Sequence, residues 1–259
     1  MIRPYFFAIV VVLAFLGVRS ASAQTIPGAC DPNAPVPAGF VRLMGTSGND
    51  SIVGTNAREI ILGLGGNDVI HGGGGDDILC GGDGSDQLFG DAGNDQVSGG
   101  NGADIVHGGQ DNDTIVGDAG DDQLYGDLGD DTMNGNAGND RVEGGGGSDV
   151  VRGGKDDDIV IGGPGNDTVL GDLGNDELHG DDVACFVNVP CGYGDDDLDG
   201  GDGDDRCYGG PGNDWVWGGQ TGLDQGSGDL KGATNWLGSH DECGAGEYGA
   251  FVYCEAKIP

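Results

Sequence analysis

Beginning at residue 45 and ending at residue 171, every ninth residue of this chain is glycine. Fifteen units start this way without a slip of register, and each carries an acid at its sixth position, Glu59 in the second unit and aspartate in the others. The eighth position is always aliphatic or methionine, from Ile52, Ile61 and Ile70 through Met133 to Leu178. The fourth is glycine except at Ala57, Asp111 and Asp156. A period kept this long marks a repeat architecture, in which one unit buries its apolar side chain only by stacking on its neighbours.

The local structure follows from the residue types. Glycines at positions one and four allow backbone angles closed to other residues, so the first six positions are expected to form a tight loop. Positions seven to nine then form a short strand, with position eight pointing inward and seven and nine outward. One strand of three residues buries almost nothing, whereas a stack of them buries a continuous thin column of Val, Leu and Ile. Composition alone would favour disorder: there are 59 glycines, and 45 acids stand against 10 Lys and Arg for a formal charge of -35. A solvated acidic tail, however, has no reason to keep its eighth position aliphatic. The same charge excludes nucleic acid as a partner, because its phosphates would be repelled. What remains is a chain that binds many cations, since no Lys or Arg lies between Glu59 and Asp140 to answer the acids.

Residues 81–89, 99–107 and 162–170 meet the phrase G-G-x-G-x-D-x-U-x, with U a large aliphatic, at every fixed position. The phrase resembles the nonapeptide of RTX (repeats-in-toxin) proteins, also called hemolysin-type calcium-binding repeats. The likeness covers residues 45–179 and resumes at 194–217. It implies an all-β fold, a parallel β-roll (β-solenoid) in which two nonapeptides make one coil and loops line both sides. It also implies calcium between loops stacked eighteen residues apart. The ligands it implies are carbonyl oxygens of the glycine-rich loops and the carboxylates of Asp50, Asp68, Asp77, Asp86, Asp95, Asp104, Asp113, Asp122, Asp131, Asp140, Asp149, Asp158, Asp167, Asp176, Asp196, Asp205 and Asp214. At a strand spacing of about 4.8 Å, neighbouring carboxylates repel by roughly 3 kcal/mol at an effective dielectric near 20. A divalent ion with hard oxygen ligands reverses that sign, and about a dozen calcium ions would cancel most of the charge.

Residues 1–23 read as a secretory signal peptide: Arg3, an uncharged apolar run over 5–18, then Ala21-Ser22-Ala23 before Gln24. That run is short of the roughly 20 residues of a membrane span, which argues against an anchor, and no later run could span. Cleavage would remove Arg3 and Arg19 and move the formal charge from -35 to -37. Export suits the seven cysteines, which an oxidising compartment lets pair, and their odd number leaves at least one without a partner in the chain. None forms a CxxC pair, so zinc and dithiol redox chemistry have little support.

Residues 24–44 read as a proline-rich leader and capping strand, in which 36–44 keeps Gly39 and Leu43 in register but sets Val41 at position six. The unit 54–62, with Ala57, Arg58 and Glu59, predicts a weak or missing site. The roll spans 45–217, with a loop insertion near 182–193, and 218–259 forms a C-terminal cap carrying Trp236, Tyr248, Phe251 and Tyr253. That aromatic cap is expected to be the nucleating end. Cys30 could reach Cys80, Cys185 and Cys191 could staple the insertion, Cys243 and Cys254 could close a hairpin, and inward-facing Cys207 is the candidate unpaired thiol. Outward position nine places His71, Phe89, His107 and Tyr125 in one column, predicted to stack as a ladder. His71 and His107 would lie two coils, about 9.6 Å, apart, too far to share an ion. Trp215 and Trp217 also face outward, either under the cap or as a sugar-stacking platform.

No nucleophile elbow, phosphate loop or HExxH is present, and no acid–base cluster lies outside the repeats. RTX proteins often carry the repeats behind a protease, lipase or toxin domain. Nearly all of this chain reads as repeat or cap, so toxin activity is not carried over. The expected function is that of a secreted, extracellular or periplasmic, non-enzymatic calcium-binding roll serving as a structural or surface module. The alternatives are an adhesin for surface polysaccharide and an accessory module of a polysaccharide-acting enzyme. Ice binding would want a regular threonine row on the loops, and position three varies freely.

Overall fold

The computed structural model describes residues 30–180, 196–201, 205–209 and 214–217, with the backbone of 225–227 and 242–243. The chain winds as an all-parallel β-solenoid, and alternate units fall on two sheets. The ten-stranded first sheet starts at Val41–Met44, continues through Glu59–Gly65, Ile78–Asp83 and Gln96–Asn101, and runs on to Trp215–Trp217. The eleven-stranded second sheet starts at Ser51–Val53 and continues through Val69–Gly74 and Gln87–Ala92. Register sets like position against like, eighteen residues apart: Leu88 pairs with Ile70 and Val106, and Phe89 with His71 and His107. This is the parallel β-roll expected from the repeat. Among the described residues no helix is long and apolar enough to cross a membrane.

The strands are longer than expected. Ile78–Asp83 and Thr132–Ala137 each hold six residues, from position seven of one unit through position three of the next. Alternation along such a strand turns positions six, eight and one to the same, inner face. The eighth-position side chains from Ile61 to Leu178 form one buried column that continues into Leu198 and Cys207. Position one is glycine because of space. A Cβ on Gly81 would lie 2.5 Å from the carbonyl oxygen of Gly99 and 2.3 Å from Asp86 Oδ2. The left-handed backbone falls instead at positions two and four, as at Gly82 (φ 112°) and Gly84 (φ 134°), which corrects the expectation for position one.

Six residues other than glycine take the left-handed angle at position two: Leu64, Asp91, Asp118, Asp127, Asn136 and Asp172. That conformation costs an L-residue about 1–2 kcal/mol, and Asn and Asp bear it best. All four aspartates are tied down by a position-nine side chain twenty residues earlier. His71 Nδ1 meets Asp91 at 3.2 Å and His107 Nδ1 meets Asp127 at 3.0 Å. The Ser98 hydroxyl donates to Asp118 at 2.6 Å, and Arg152 donates twice to Asp172, at 2.9 and 2.7 Å.

The outer faces differ along the stack. In the first sheet positions seven and nine are apolar at the start, Ile60, Leu62, Ile78 and Cys80, and then become mixed, with Gln96, Ser98 and Thr114 followed by a buried Val116. The apolar patch is covered by Cys30, Phe40 and Leu64. A Cys30–Cys80 disulfide fixes that cover, the Arg58 guanidinium sits 4.4 Å from the Phe40 ring centroid, and Arg42 donates to the Pro32 carbonyl. On the second sheet His71, Phe89, His107 and Tyr125 stack with centroids 4.5, 5.3 and 4.7 Å apart. His179 and Tyr208 repeat the motif at 4.9 Å. Trp215 is largely exposed and Trp217 half-buried. The readings of residues 1–23, of the Cys185/Cys191 staple and of the cap with its Cys243/Cys254 closure lie outside the described residues.

Candidate metal centre

Position six shares the inner face with position eight, so its acids go inside with the aliphatic column. Every position-six aspartate from Asp68 to Asp176 is at most 3% exposed, as are Asp196 and Asp205, while Asp50 and Asp214 are half-buried. Each carboxylate spans two coils. The N–H of Asp68 donates to Asp86 Oδ1 at 2.7 Å, that of Asp86 to Asp104 Oδ1 at 2.7 Å, and that of Asp104 to Asp122 Oδ1 at 2.8 Å. A second row climbs the opposite edge of the roll from Glu59 through Asp77, Asp95 and Asp113. Both rows cross the insertion: Asp167 donates to Asp196 Oδ1 and Asp176 to Asp205 Oδ1, over 29 residues rather than 18.

Position five makes a matching ladder in the opposite sense. The N–H of Asn67 donates to Asn49 Oδ1, that of Asp130 to Asn112 Oδ1 and that of Ser148 to Asp130 Oδ1, each at 2.9 Å. Two successive loop N–H groups are thus held by side chains of the coils on either side. This ladder is absent from the sequence reading, although position five is Asn, Asp or Ser in every unit except those of Arg58 and Ala103.

The second oxygen of each carboxylate is another matter. From Asp68 to Asp176, Oδ2 is buried and has no hydrogen-bond partner. It faces the bare side of the position-one glycine of its own unit. The place a Cβ on Gly63 would take lies 2.3 Å from Asp68 Oδ2 and 2.5 Å from the Gly81 carbonyl oxygen, and Gly108 repeats this with Asp113 and Gly126 at 2.4 and 2.8 Å. A carboxylate oxygen and a carbonyl oxygen therefore converge, unit after unit, on a cradle without a side chain. Burial pushes these carboxyls up from 3.8, with coil-neighbour carboxylates adding to it and the donated N–H opposing: Asp77 and Asp149 to about 6, Asp113 and Asp122 to about 7, Asp95 and Asp158 to about 8.

An anionic oxygen beside peptide carbonyls is the donor set of calcium rather than of zinc or copper. Among the described residues no three His, Cys, Asp or Glu side chains gather at one point. Each unit offers one carboxylate, and backbone carbonyls would complete the shell. On the orphaned Oδ2 atoms and the cradle they face, these residues fit calcium.

The first two units are built differently. Asp50 Oδ2 accepts the N–H and the hydroxyl of Thr46, at 2.6 and 2.9 Å. Glu59, in the unit expected to be weak, accepts the N–H and the hydroxyl of Thr55. Each hydroxyl in turn accepts the N–H two residues on, that of Gly48 at 3.2 Å and that of Ala57 at 3.1 Å.

A family model described as "RTX calcium-binding nonapeptide repeat (4 copies)" matches residues 42–56, 53–88, 81–115, 107–142, 143–178 and 192–220. No curated protein matches the chain.

Proposed function

Because the chain belongs to the RTX calcium-binding nonapeptide repeat family, we propose that it is a secreted structural or surface module whose roll forms when calcium fills the two aspartate rows. The observation that carries this reading is the unbroken series of buried, partnerless Oδ2 atoms from Asp68 to Asp176. Asp196, Asp205 and Asp214 continue the rows beyond the insertion. Bound calcium supplies the positive charge that a column of desolvated carboxylates lacks, and the free energy of binding becomes free energy of folding. Secretion rests on the apolar, cleavable look of residues 1–23 and agrees with the Cys30–Cys80 disulfide, a bond of oxidising compartments. The affinity suited to such a compartment is on the order of 0.1–1 mM. The module carries no reaction of its own in this reading.

The test is a calcium titration of chelated protein at pH 7.5, followed by far-ultraviolet circular dichroism. Sheet signal should be weak under chelation and rise cooperatively with calcium. Full sheet signal in chelator would overturn the proposal. The exposed Trp215, at 59%, favours a second role, carbohydrate binding. A glycan array probed with the calcium-loaded protein tests it, and binding that Trp215→Ala leaves intact would remove it.

A further inference from the structure

Threonine stands at position two in only two units, the first and the second. Those two loops differ from the rest in three ways. Their backbones contain no left-handed residue, whereas the next loop has Leu64 at φ 80° and Gly66 at φ 102°. The Thr46 and Thr55 hydroxyls bridge the loop from the N–H of position four to the carboxylate of position six. The carboxylate oxygen that is orphaned from Asp68 to Asp176 is, at Asp50, saturated by Thr46. The β-branched side chain explains the linkage, since threonine resists the left-handed angle that position two takes elsewhere.

We propose that Thr46 and Thr55 are built-in plugs that stand in for calcium. Thr46 occupies, with its hydroxyl and N–H together, the oxygen that other loops leave for an ion, and Thr55 takes both oxygens of Glu59, one with its hydroxyl and one with its N–H. The loops 45–50 and 54–59 therefore hold no ion of their own, and the N-terminal coil is complete without metal. Ser51–Val53 is the first strand of its sheet and pairs with Val69–Gly74 alone, so the loop before it needs a partner for its carboxylate from within. The plug meets that need, and the disulfide-tied cover of Cys30, Phe40 and Leu64 shields the same end. The inference rests on the calcium reading above and refines it by separating loops that take an ion from loops that do not.

Thr46→Gly turns residues 45–50 from GTSGND into GGSGND, which meets the motif at every fixed position. Calcium is counted by native mass spectrometry on the full secreted chain at saturating calcium. Thr46→Gly should carry one ion more than the wild type, and Thr46→Ser, which keeps the hydroxyl, the same number. Asp50→Asn should carry the wild-type number, and Asp86→Asn one fewer. A Thr46→Gly variant that shows the sheet signal but gains no ion would overturn the plug, and so would loss of an ion in Asp50→Asn. Should Thr46→Gly not fold, the pair Asp50→Asn and Asp86→Asn decides. A wild type that binds no calcium at all would instead sink the calcium reading itself, an outcome distinct from an unchanged count.

Discussion

The loop at 45–50 and the loop at 81–86 present the same acid at the same place, yet they settle it by opposite means. In the first, Thr46 satisfies Asp50 from within the loop. In the second, Gly82 turns left-handed, the Ser85 hydroxyl accepts the Ala103 N–H of the next coil, and Asp86 Oδ2 stays buried without a partner. On the calcium reading proposed above, one design is finished by its own covalent chain and the other waits for an ion. The local solution gives a loop whose carboxylate is satisfied from within. The deferred solution gives a loop whose order can be switched on from outside. The molecule places the self-sufficient kind at the disulfide-tied end and the dependent kind throughout the stack.

The widest gap between the two regions should open under chelation. At pH 7.5, hydrogen exchange should show the strands Gln96–Asn101 through Arg141–Gly146 losing protection by orders of magnitude, while Glu59–Gly65 and Ile78–Asp83 lose much less. Equal loss in both regions would erase the comparison. Acidity should narrow the gap. Carboxyls such as Asp95, Asp113 and Asp158 hold their protons to about 7 or 8 in the fold, against 3.8 as the ordinary value. A carboxyl so raised stabilises the calcium-free fold fully below its unfolded pKa and loses that contribution as pH climbs through the folded one. Chelated protein should therefore show more sheet at pH 5 than at pH 8, and calcium-loaded protein the reverse preference, because protons compete with the ion. Chelated protein that is better ordered at pH 8 would contradict the burial argument.

Smaller effects sharpen the same contrast. Replacing Cys30 and Cys80 together by serine should destabilise the N-terminal end by about 2–4 kcal/mol and bring its exchange under chelation toward that of the stack, with the ion count unchanged. An unaltered exchange pattern would mean that the leader is held by packing alone. Asp113→Ala removes a proposed calcium ligand and also the acceptor for the N–H of Asp95, a buried donor whose loss of partner costs about 1–3 kcal/mol. It should raise the calcium midpoint several-fold. Glu59→Gln keeps an acceptor for Thr55 and should leave the midpoint where it is. Equal shifts in calorimetric titrations of the two variants would show that the first loops are not set apart.

Much of this was legible in the repeat. The inward eighth position follows from spacing and alternation, the two-unit coil from the resemblance to the RTX nonapeptide, and the stacked rings from His71 to Tyr125 from that coil, while Cys30 with Cys80 is one pairing the sequence leaves open. Other features hide from a motif reading for physical reasons. Glycine at position one and glycine at position two look alike in a sequence, but one is a matter of room for Asp86 Oδ2 and the other of backbone angle. The aspartates at position two look like surplus charge until the partner twenty residues back is counted. The strands run longer than the repeat predicts because glycine reads as a loop residue, whereas the extended chain passes straight through it. Thr46 passes as a variable residue because a hydroxyl aimed inward cannot be told from one aimed at water.

The ladder across the insertion has a consequence of its own. Asp167 finds Asp196, and Asp176 finds Asp205, as squarely as partners eighteen residues apart do elsewhere. The coil is thus indifferent to how much chain is spent between Gly180 and Asp196, provided the two ends return to register. A lineage can lengthen, shorten or exchange that excursion without renegotiating the scaffold beneath it. The ladder and the chain between Gly180 and Asp196 are free to evolve at different rates, and an engineer could graft a foreign peptide at the same junction.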